Sequence, residues 1–206
     1  MSKRLTKRSR TDRGIAGCFV RQQAVVVGAF FVFVLLTLGA LFGARFPPVS
    51  AVGGPFELVS HDKRIVSEKD FLGHPFLVFF GYTHCQDVCP LTLFEISEIL
   101  RALGPDTKIG ALFVTVDPER DTPEVLKDYL ANFDPRIIGL SGDQEAVNRM
   151  LRSYHIYWRK VDGKGDDYSV DHTPVVYLMD KDGRFVRTFD VSRRPVDAAR
   201  ELRPYL

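Results

Sequence analysis

The apolar positions of this chain form one long run, followed by short runs that alternate with helical patterns. Phe76–Gly81 and Ile109–Val116 are continuously apolar, as expected for strands that are buried on both faces of a sheet. Between them, apolar residues recur at helical spacing from Leu91 to Leu103, after Pro90, which suits the first turn of a helix. The first half of the domain is therefore predicted to run strand, helix, strand.

The second half continues this alternation. Thr122-Pro123 opens a predicted helix whose apolar positions Val125, Leu126, Tyr129 and Phe133 share one face. The remaining predicted elements are a strand over Ile137–Leu140, a helix over Asp143–Tyr154, a hairpin of Val175–Met179 with Arg184–Phe189, and a helix over Pro195–Leu202. This order describes a mixed sheet with helices on both faces, and a thioredoxin-like α/β fold fits it.

The long apolar run, Ala24–Ala44, contains no charged side chain. At about 1.5 Å per residue, a helix of this length crosses the roughly 30 Å hydrocarbon core of a bilayer. A cleaved signal peptide is the alternative, but its apolar region would be only about 7–15 residues long. Phe42-Gly43-Ala44 is also a poor cleavage site. The run is therefore predicted to be a retained transmembrane anchor, and residues 45–206 are predicted to form the thioredoxin-like domain.

Charge is distributed unevenly along the chain, although the net charge is only +2. Residues 1–23 hold seven basic side chains and one acid, so this tail is strongly basic and the remainder is mildly acidic. The basic tail is expected to stay on the cytoplasmic side, which places the domain on the opposite side of the membrane. A mildly acidic domain argues against nucleic-acid binding, which needs a basic face.

Two of the three cysteines, Cys85 and Cys89, lie in one turn between the first buried strand and the helix that follows it. Cys89 falls at or beside the helix N-terminus, which is expected to favour its thiolate. Such a pair can bind a metal or close a disulfide. Two thiolates suit Cu(I), zinc or iron–sulfur chemistry, and structural zinc generally needs four ligands. Cys18 lies alone in the tail and is expected to have no role.

A single histidine would complete a copper site with two sulfurs, and five histidines compete for this role. The side chain of His84 is expected to point away from that of its neighbour Cys85. His172 directly precedes a buried strand, where a loop would face the cysteine turn. Asp171 or a backbone carbonyl would then orient its ring.

Three motifs together resemble the Sco/SenC family. They are G-Y-T-H-C-x-D-V-C-P, V-D-P-E-R-D-T-P, and V-D-H-T before a Y-L-M-D strand, and the likeness runs from about residue 53 to residue 203. Members are membrane-tethered copper proteins with a thioredoxin-like fold that help to assemble the dinuclear copper (CuA) centre of cytochrome c oxidase. The resemblance implies that Cys85, Cys89 and His172 bind copper, as Cu(I), Cu(II) or both.

The same resemblance implies a partner and a location. The partner is the CuA domain of oxidase subunit II, with another copper chaperone as a further option. The chain would be a single-pass inner-membrane protein with its N-terminus in the cytoplasm. Its domain would lie in the periplasm, or in the intermembrane space if the protein is mitochondrial.

Two residues depart from the pattern of the family. Gln86 replaces the usual proline after the first cysteine, and Pro174 replaces an ordinary apolar residue. Because thioredoxin-like redox proteins often place a cis-proline opposite their cysteines, a cis bond before Pro174 is one interpretation. The departures leave the redox behaviour of Cys85 and Cys89 open.

Two functions remain open for the domain. One is a metallochaperone that passes copper to the oxidase subunit by ligand exchange. The other is a thiol–disulfide oxidoreductase that reduces the cysteines of the copper acceptor through a Cys85–Cys89 disulfide. CxxxC with a distant histidine favours metal binding, whereas a peroxiredoxin motif does not fit either cysteine. Residues 116–123 are interpreted either as a charged loop with a helix cap at Asp121 or Thr122, or as a docking surface.

Overall fold

The chain divides into two units, residues 1–49 and 50–206. The computed structural model describes residues 52–164 and 167–206, together with Phe30, Phe33, Val34 and Thr37. These four residues are helical, and Thr37 Oγ1 donates to the carbonyls of Phe33 (2.9 Å) and Val34 (3.0 Å). Within the described residues, no helix combines the length and the apolar character that crossing a membrane requires. The predicted tail and nearly all of the predicted anchor lie outside the described residues.

The second unit is built on a mixed sheet of seven strands. The strands are β1 Glu57–Ser60, β2 Ile65–Ser67, β3 Phe76–Gly81, β4 Gly110–Thr115, β5 Ile137–Ser141, β8 Val176–Met179 and β9 Phe185–Thr188. They lie in the order β2-β1-β5-β4-β3-β8-β9. Strands β3, β4 and β5 are parallel to one another, and the outer pairs are antiparallel. The predicted mixed α/β sheet is confirmed.

In the described part of the second unit, four α-helices accompany the sheet: α1 Val88–Leu103, α2 Pro123–Leu130, α3 Gln144–Ser153 and α4 Pro195–Leu202. Short 3₁₀ helices cover Glu68–Phe71 and Arg203–Tyr205. The starts of α2 and α3 follow from the sequence, since Thr122 Oγ1 accepts from Val125 N (3.3 Å) and Asp143 Oδ1 accepts from Ala146 N (2.7 Å). On α2, Leu126 is buried but Val125 is exposed, so the predicted apolar face was misplaced by part of a turn.

The centre of the sheet is buried on both faces, because successive residues of β3 enter different hydrophobic clusters. Leu77 and Phe79 pack in a cluster with residues of α1, α2 and α4. Val78 and Phe80 pack in a second cluster with residues of α3. The continuously apolar sequence of β3 therefore has the cause that was predicted, namely a strand covered on both sides.

A second, two-stranded sheet was not predicted. Strands β6 (Trp158–Lys164) and β7 (Asp167–His172) pair antiparallel, and Trp158 lies opposite His172. Their sequences are rich in charged residues, so they lack the apolar signal of a buried strand. The expectation that a loop carries His172 was wrong, because His172 ends β7.

Candidate metal centre

The cysteine turn connects the end of β3 to the start of α1. Cys85 lies in this turn and is half-buried, whereas Cys89 lies in the first turn of α1 and is fully buried. The backbone N–H of Cys89 donates to Cys85 Sγ at 3.4 Å, so the first sulfur lies at the N-terminus of the helix. Both cysteines are free thiols.

His172 meets the cysteine turn from the β6–β7 hairpin. Its Nε2 lies 3.7 Å from Cys89 Sγ, although the two residues are 83 positions apart in the chain. Its Nδ1 lies 3.3 Å from the carbonyl oxygen of Thr173, which can only accept. Nδ1 therefore carries the hydrogen in the neutral ring and Nε2 presents its lone pair to the sulfur. Asp171 does not orient the ring, since its carboxylate pairs with Arg159 at 3.0 Å.

Burial acts on both residues of this contact. It raises the pKa of the Cys89 thiol well above its usual value, outweighing the effect that the helix N-terminus was expected to have. Burial also lowers the pKa of His172, which keeps the imidazole neutral at pH 7. A neutral imidazole is the form that binds a metal, and Cys89 must lose its proton when a metal binds.

The three predicted ligands are not arranged as a finished site. Among the described residues, no group of three or more His, Cys, Asp or Glu side chains is positioned to hold a metal ion. Cys89 and His172 are together, while the sulfur of Cys85 is held by the Cys89 N–H. Two sulfurs and one neutral imidazole nevertheless form a donor set that suits copper. The ligand assignment of Cys85, Cys89 and His172 stays a prediction.

Gly81, the last residue of β3, was missed by the sequence analysis. A Cβ at this position would lie 2.8 Å from Cys89 Sγ and 2.7 Å from the ring of Phe113. The absence of a side chain thus lets the sulfur of Cys89 pack directly on the strand. No pattern of apolar residues shows this, because it depends on a contact between two elements.

The other residues considered from sequence occupy separate places. His84 is exposed, with its Nδ1 3.2 Å from Thr83 Oγ1, and His61 accepts from the Gly139 N–H at 2.9 Å. The peptide bond before Pro174 is trans, since no cis bond occurs among the described residues, so the cis interpretation was wrong. Phe79, Phe80 and Phe113 are core residues, as predicted.

The segment between β4 and α2 is more closely tied to the site than either interpretation suggested. Thr122 does cap α2, as expected. Asp117 and Asp121 are buried, so these two carboxylates do not belong to a docking surface. Asp121 instead accepts from Thr83 at the start of the cysteine turn. A charged motif predicts exposure by composition alone, and only the fold shows that these acids face inward.

A groove of about 510 Å³ opens beside the exposed edge of the cysteine turn. Its lining includes Tyr82, Cys85 and Val88 from the turn and helix, and Arg120 and Tyr168 from the opposite wall. Cys85 is therefore the sulfur that a partner molecule can approach, while Cys89 lies behind it.

Several known proteins are similar in sequence to this chain. The SCO1/SenC family model matches residues 46–206. A SCO2-like protein of Rickettsia prowazekii is 38% identical over 150 residues, covering 70% of this chain and 73% of that protein. The human mitochondrial SCO1 homolog is 36% identical over 162 residues, covering 75% of this chain. The alignment spans only 54% of the human protein.

Solved structures show the same fold. The copper-bound structure of ScoI from Bradyrhizobium japonicum is 52% identical with a TM-score of 0.73, covering 75% of this chain and 99% of that chain. Copper-bound yeast Sco1 is 34% identical with a TM-score of 0.67, covering 75% of this chain and 90% of that chain. The predicted thioredoxin-like arrangement of sheet and helices is confirmed by this likeness.

Proposed function

The chain belongs to the SCO1/SenC family, and on that premise we propose that it is a copper metallochaperone that assists assembly of cytochrome c oxidase. The observation that carries the proposal is the 3.7 Å contact between Cys89 Sγ and His172 Nε2, beside a second thiol on the same turn. Relatives with copper bound support it.

Copper is the cargo of this protein, held by Cys85, Cys89 and His172 as Cu(I), Cu(II) or both. The two thiolates supply soft ligands and the imidazole supplies a nitrogen. Binding requires a rearrangement of these side chains, since within the described residues they do not form a group that could hold a metal ion. Binding also releases the proton of the buried Cys89 thiol, so copper affinity rises with pH.

Transfer uses the accessible side of the site. Cys85 is half-buried and lines the open groove, so a thiolate of the acceptor can reach copper from that side. A site with three protein ligands leaves room for one incoming ligand before an outgoing one departs. The acceptor is the CuA domain of oxidase subunit II, and another copper chaperone is a candidate donor.

The N-terminal run is proposed to anchor the domain to the inner membrane, with the tail in the cytoplasm. The domain then lies in the periplasm, or in the intermembrane space of a mitochondrion. Phe30 and Phe33 are helical and each is 65% exposed, as side chains that face lipid would be. The charge of residues 1–23 supports the orientation.

A second function is favoured by the exposure of Cys85 in the groove. Its thiolate can attack a disulfide of the acceptor, and Cys89 then displaces the acceptor thiol. Cys85 and Cys89 become a disulfide, and the acceptor gains two electrons and two protons as two thiols. The burial of Cys89 and its raised pKa slow this reaction, which makes copper transfer the leading function.

Copper binding is tested by titrating the reduced full chain in detergent with Cu(I) against a chelator. Loss of a residue that only hydrogen-bonds to a metal ligand typically weakens metal binding by roughly 10- to 100-fold. Cys85→Ser, Cys89→Ser and His172→Ala each remove a proposed ligand and should weaken copper binding by at least as much. Cys18→Ser and His74→Ala, which alter a tail cysteine and an exposed histidine, should bind like the parent. Equal affinity in the His172→Ala variant would refute the proposed ligand set.

The two functions are separated by mixing the chain with a CuA-domain acceptor. Copper-loaded chain with reduced acceptor should transfer its metal, measured as copper bound to the acceptor after the two proteins are separated. Copper-free, reduced chain with a disulfide-bonded acceptor should leave that disulfide intact. Rapid reduction of the acceptor without any copper transfer would reverse the order of the two proposals.

A further inference from the structure

The cysteine turn is held from behind by Asp121. This carboxylate is fully buried and accepts from Thr83 N (3.0 Å), Thr83 Oγ1 (2.6 Å) and Thr115 Oγ1 (2.7 Å). Thr83 lies two residues before Cys85 in the turn. The backbone of Asp121 is itself fixed, because its carbonyl accepts from Ser141 Oγ at 2.7 Å. Asp121 therefore ties the start of the turn to β4 and β5.

The histidine hairpin is held by Asp117 and Arg120. Tyr168, four residues before His172 on β7, donates its hydroxyl to Asp117 Oδ1 at 2.7 Å. Arg120 pairs with Asp117 and donates from Nη1 to the carbonyl of Tyr168 at 3.0 Å. The guanidinium carbon also lies 3.6 Å from the centre of the Tyr168 ring. The Asp117–Arg120 ion pair thus contacts both the side chain and the backbone of Tyr168 in the hairpin.

These contacts matter because the hairpin is not part of the main sheet. Within the described residues, β6 and β7 pair only with each other. The position of His172 therefore depends on the base of the hairpin, where Thr173 N donates to the carbonyl of Tyr157 at 3.0 Å, and on side-chain contacts, among them the hydrogen bond from Val170 N to Tyr82 Oη at 3.3 Å. The ring of His172 also packs edge-on against Tyr82, with 5.9 Å between ring centres.

The chemistry of the ion pair is unfavourable for stability alone. Asp117 is buried and the Arg120 side chain is only 16% exposed. Arg120 Nη2 is buried without a hydrogen-bond partner among the described residues. An apolar pair of similar size avoids these desolvation costs, whereas a buried ion pair can fix a geometry. The Asp117–Arg120 pair is therefore better explained by its role in positioning the β6–β7 hairpin than by a contribution to the free energy of unfolding.

We propose that residues 117–121 form a brace that sets the separation of the two halves of the copper site. Asp121 positions the cysteine turn, and Asp117 with Arg120 positions His172. These are positioning residues, since none of them is a ligand. The inference rests on the proposed copper site and assigns to the V-D-P-E-R-D-T-P motif a role that the proposed function alone does not require.

The test uses variants that separate the two sides of the brace. Asp117→Asn/Arg120→Met removes the charges on the histidine side while filling similar volume, and it should weaken copper binding by roughly 10- to 100-fold. In a His172→Ala background the same double substitution should change affinity by less than about twofold, because its effect acts through the imidazole. Asp121→Asn should weaken binding in both backgrounds, since it acts on the cysteines.

A readout without copper accompanies the titration. In the metal-free chain, the amide of Val170 should exchange its hydrogen faster in Asp117→Asn/Arg120→Met than in the parent, because the hairpin is less firmly held. Asp121→Asn should leave that exchange rate unchanged. Single Arg120→Ala is avoided because it leaves Asp117 buried and unpaired, which threatens folding.

The matched control is the Asp134–Arg136 pair, which lies near the start of β5. Arg136 also bonds its neighbouring carboxylate (2.8 Å) and a backbone carbonyl, that of Gly104 (2.9 Å). Asp134→Asn/Arg136→Met should lower stability and leave copper affinity unchanged. The brace would be overturned if Asp117→Asn/Arg120→Met left the copper affinity of the parent unchanged. It would also be overturned if that double substitution weakened copper binding as much in the His172→Ala background as in the parent. If His172→Ala alone binds like the parent, the copper site fails instead.

Discussion

Replacing Gly81 by alanine tests whether the packing of Cys89 controls the site. The backbone φ of Gly81 is not in the left-handed region, so the effect of the substitution is purely steric. The new methyl group would lie 2.7 Å from the Phe113 ring and 2.8 Å from Cys89 Sγ. Non-bonded carbon atoms attract best at roughly 3.5–4.0 Å, so both neighbours would be too close and each must shift relative to the new methyl group by about 1 Å.

Of these two neighbours, Cys89 Sγ is the one whose displacement changes the site. Phe113 is fully buried and stacks on Phe79, with ring centres 5.8 Å apart. Overpacking of this kind costs about 1–3 kcal/mol. If that strain is relieved by displacing Cys89 Sγ from His172, copper affinity falls by about 5- to 150-fold, since ~1.4 kcal/mol corresponds to a factor of ten.

The assay compares two glycine variants by urea unfolding and by copper competition. Gly139→Ala is the matched control, because its Cβ would lie 2.7 Å from Leu130 Cδ1 and 3.2 Å from Leu126 Cβ, among residues of α2. Both variants should lose stability, and only Gly81→Ala should lose copper affinity. A destabilised Gly81→Ala protein that binds copper within twofold of the parent would refute this reasoning, as would an equal copper loss in Gly139→Ala.

Three further predictions concern stability. Leu100→Ala, at a fully buried position of α1, should cost about 2–5 kcal/mol in urea unfolding, and a loss under ~1 kcal/mol would contradict its core assignment. Thr122→Ala removes the cap of α2 and should cost about 0.5–2 kcal/mol, with an unchanged midpoint as the contrary result. Burial and the neighbouring Asp117 raise the pKa of Asp121 above 3.8, and this effect outweighs the hydrogen bonds from Thr115 and Thr83, which lower it. As pH rises from 3.8 through that raised pKa, the parent should therefore lose unfolding free energy relative to Asp121→Asn, and a gain would refute the assignment.

Much of the fold could be predicted because its strands and helices have strong local signals. The helix over Pro195–Leu202 has the predicted bounds, and β3 is buried on both faces as its apolar run indicates. The β6–β7 hairpin could not be predicted, because its strands are charged and pair outside the main sheet. Its existence depends on tertiary contacts such as the Arg120–Tyr168 stack, which leave no periodic pattern.

The site was predicted in its parts but not in its arrangement. The spacing of Cys85 and Cys89 indicated a shared turn, and the resemblance of the motifs added His172. That Cys89 is fully buried, with a pKa set by burial and not by the helix N-terminus, requires the packing of Gly81 and Phe113 around it. The inward direction of Asp121 is likewise a property of the fold, since the same letters in an exposed loop would look identical.

The proposed function requires two sulfurs and one imidazole to meet on a single copper ion. X-ray absorption at the copper edge of the loaded full chain measures this ligand set directly. Two sulfur neighbours and one imidazole are expected in the parent, with loss of the imidazole signal alone in His172→Ala. An imidazole signal that persists in His172→Ala, or a parent spectrum without two sulfurs, would contradict the proposed ligand set.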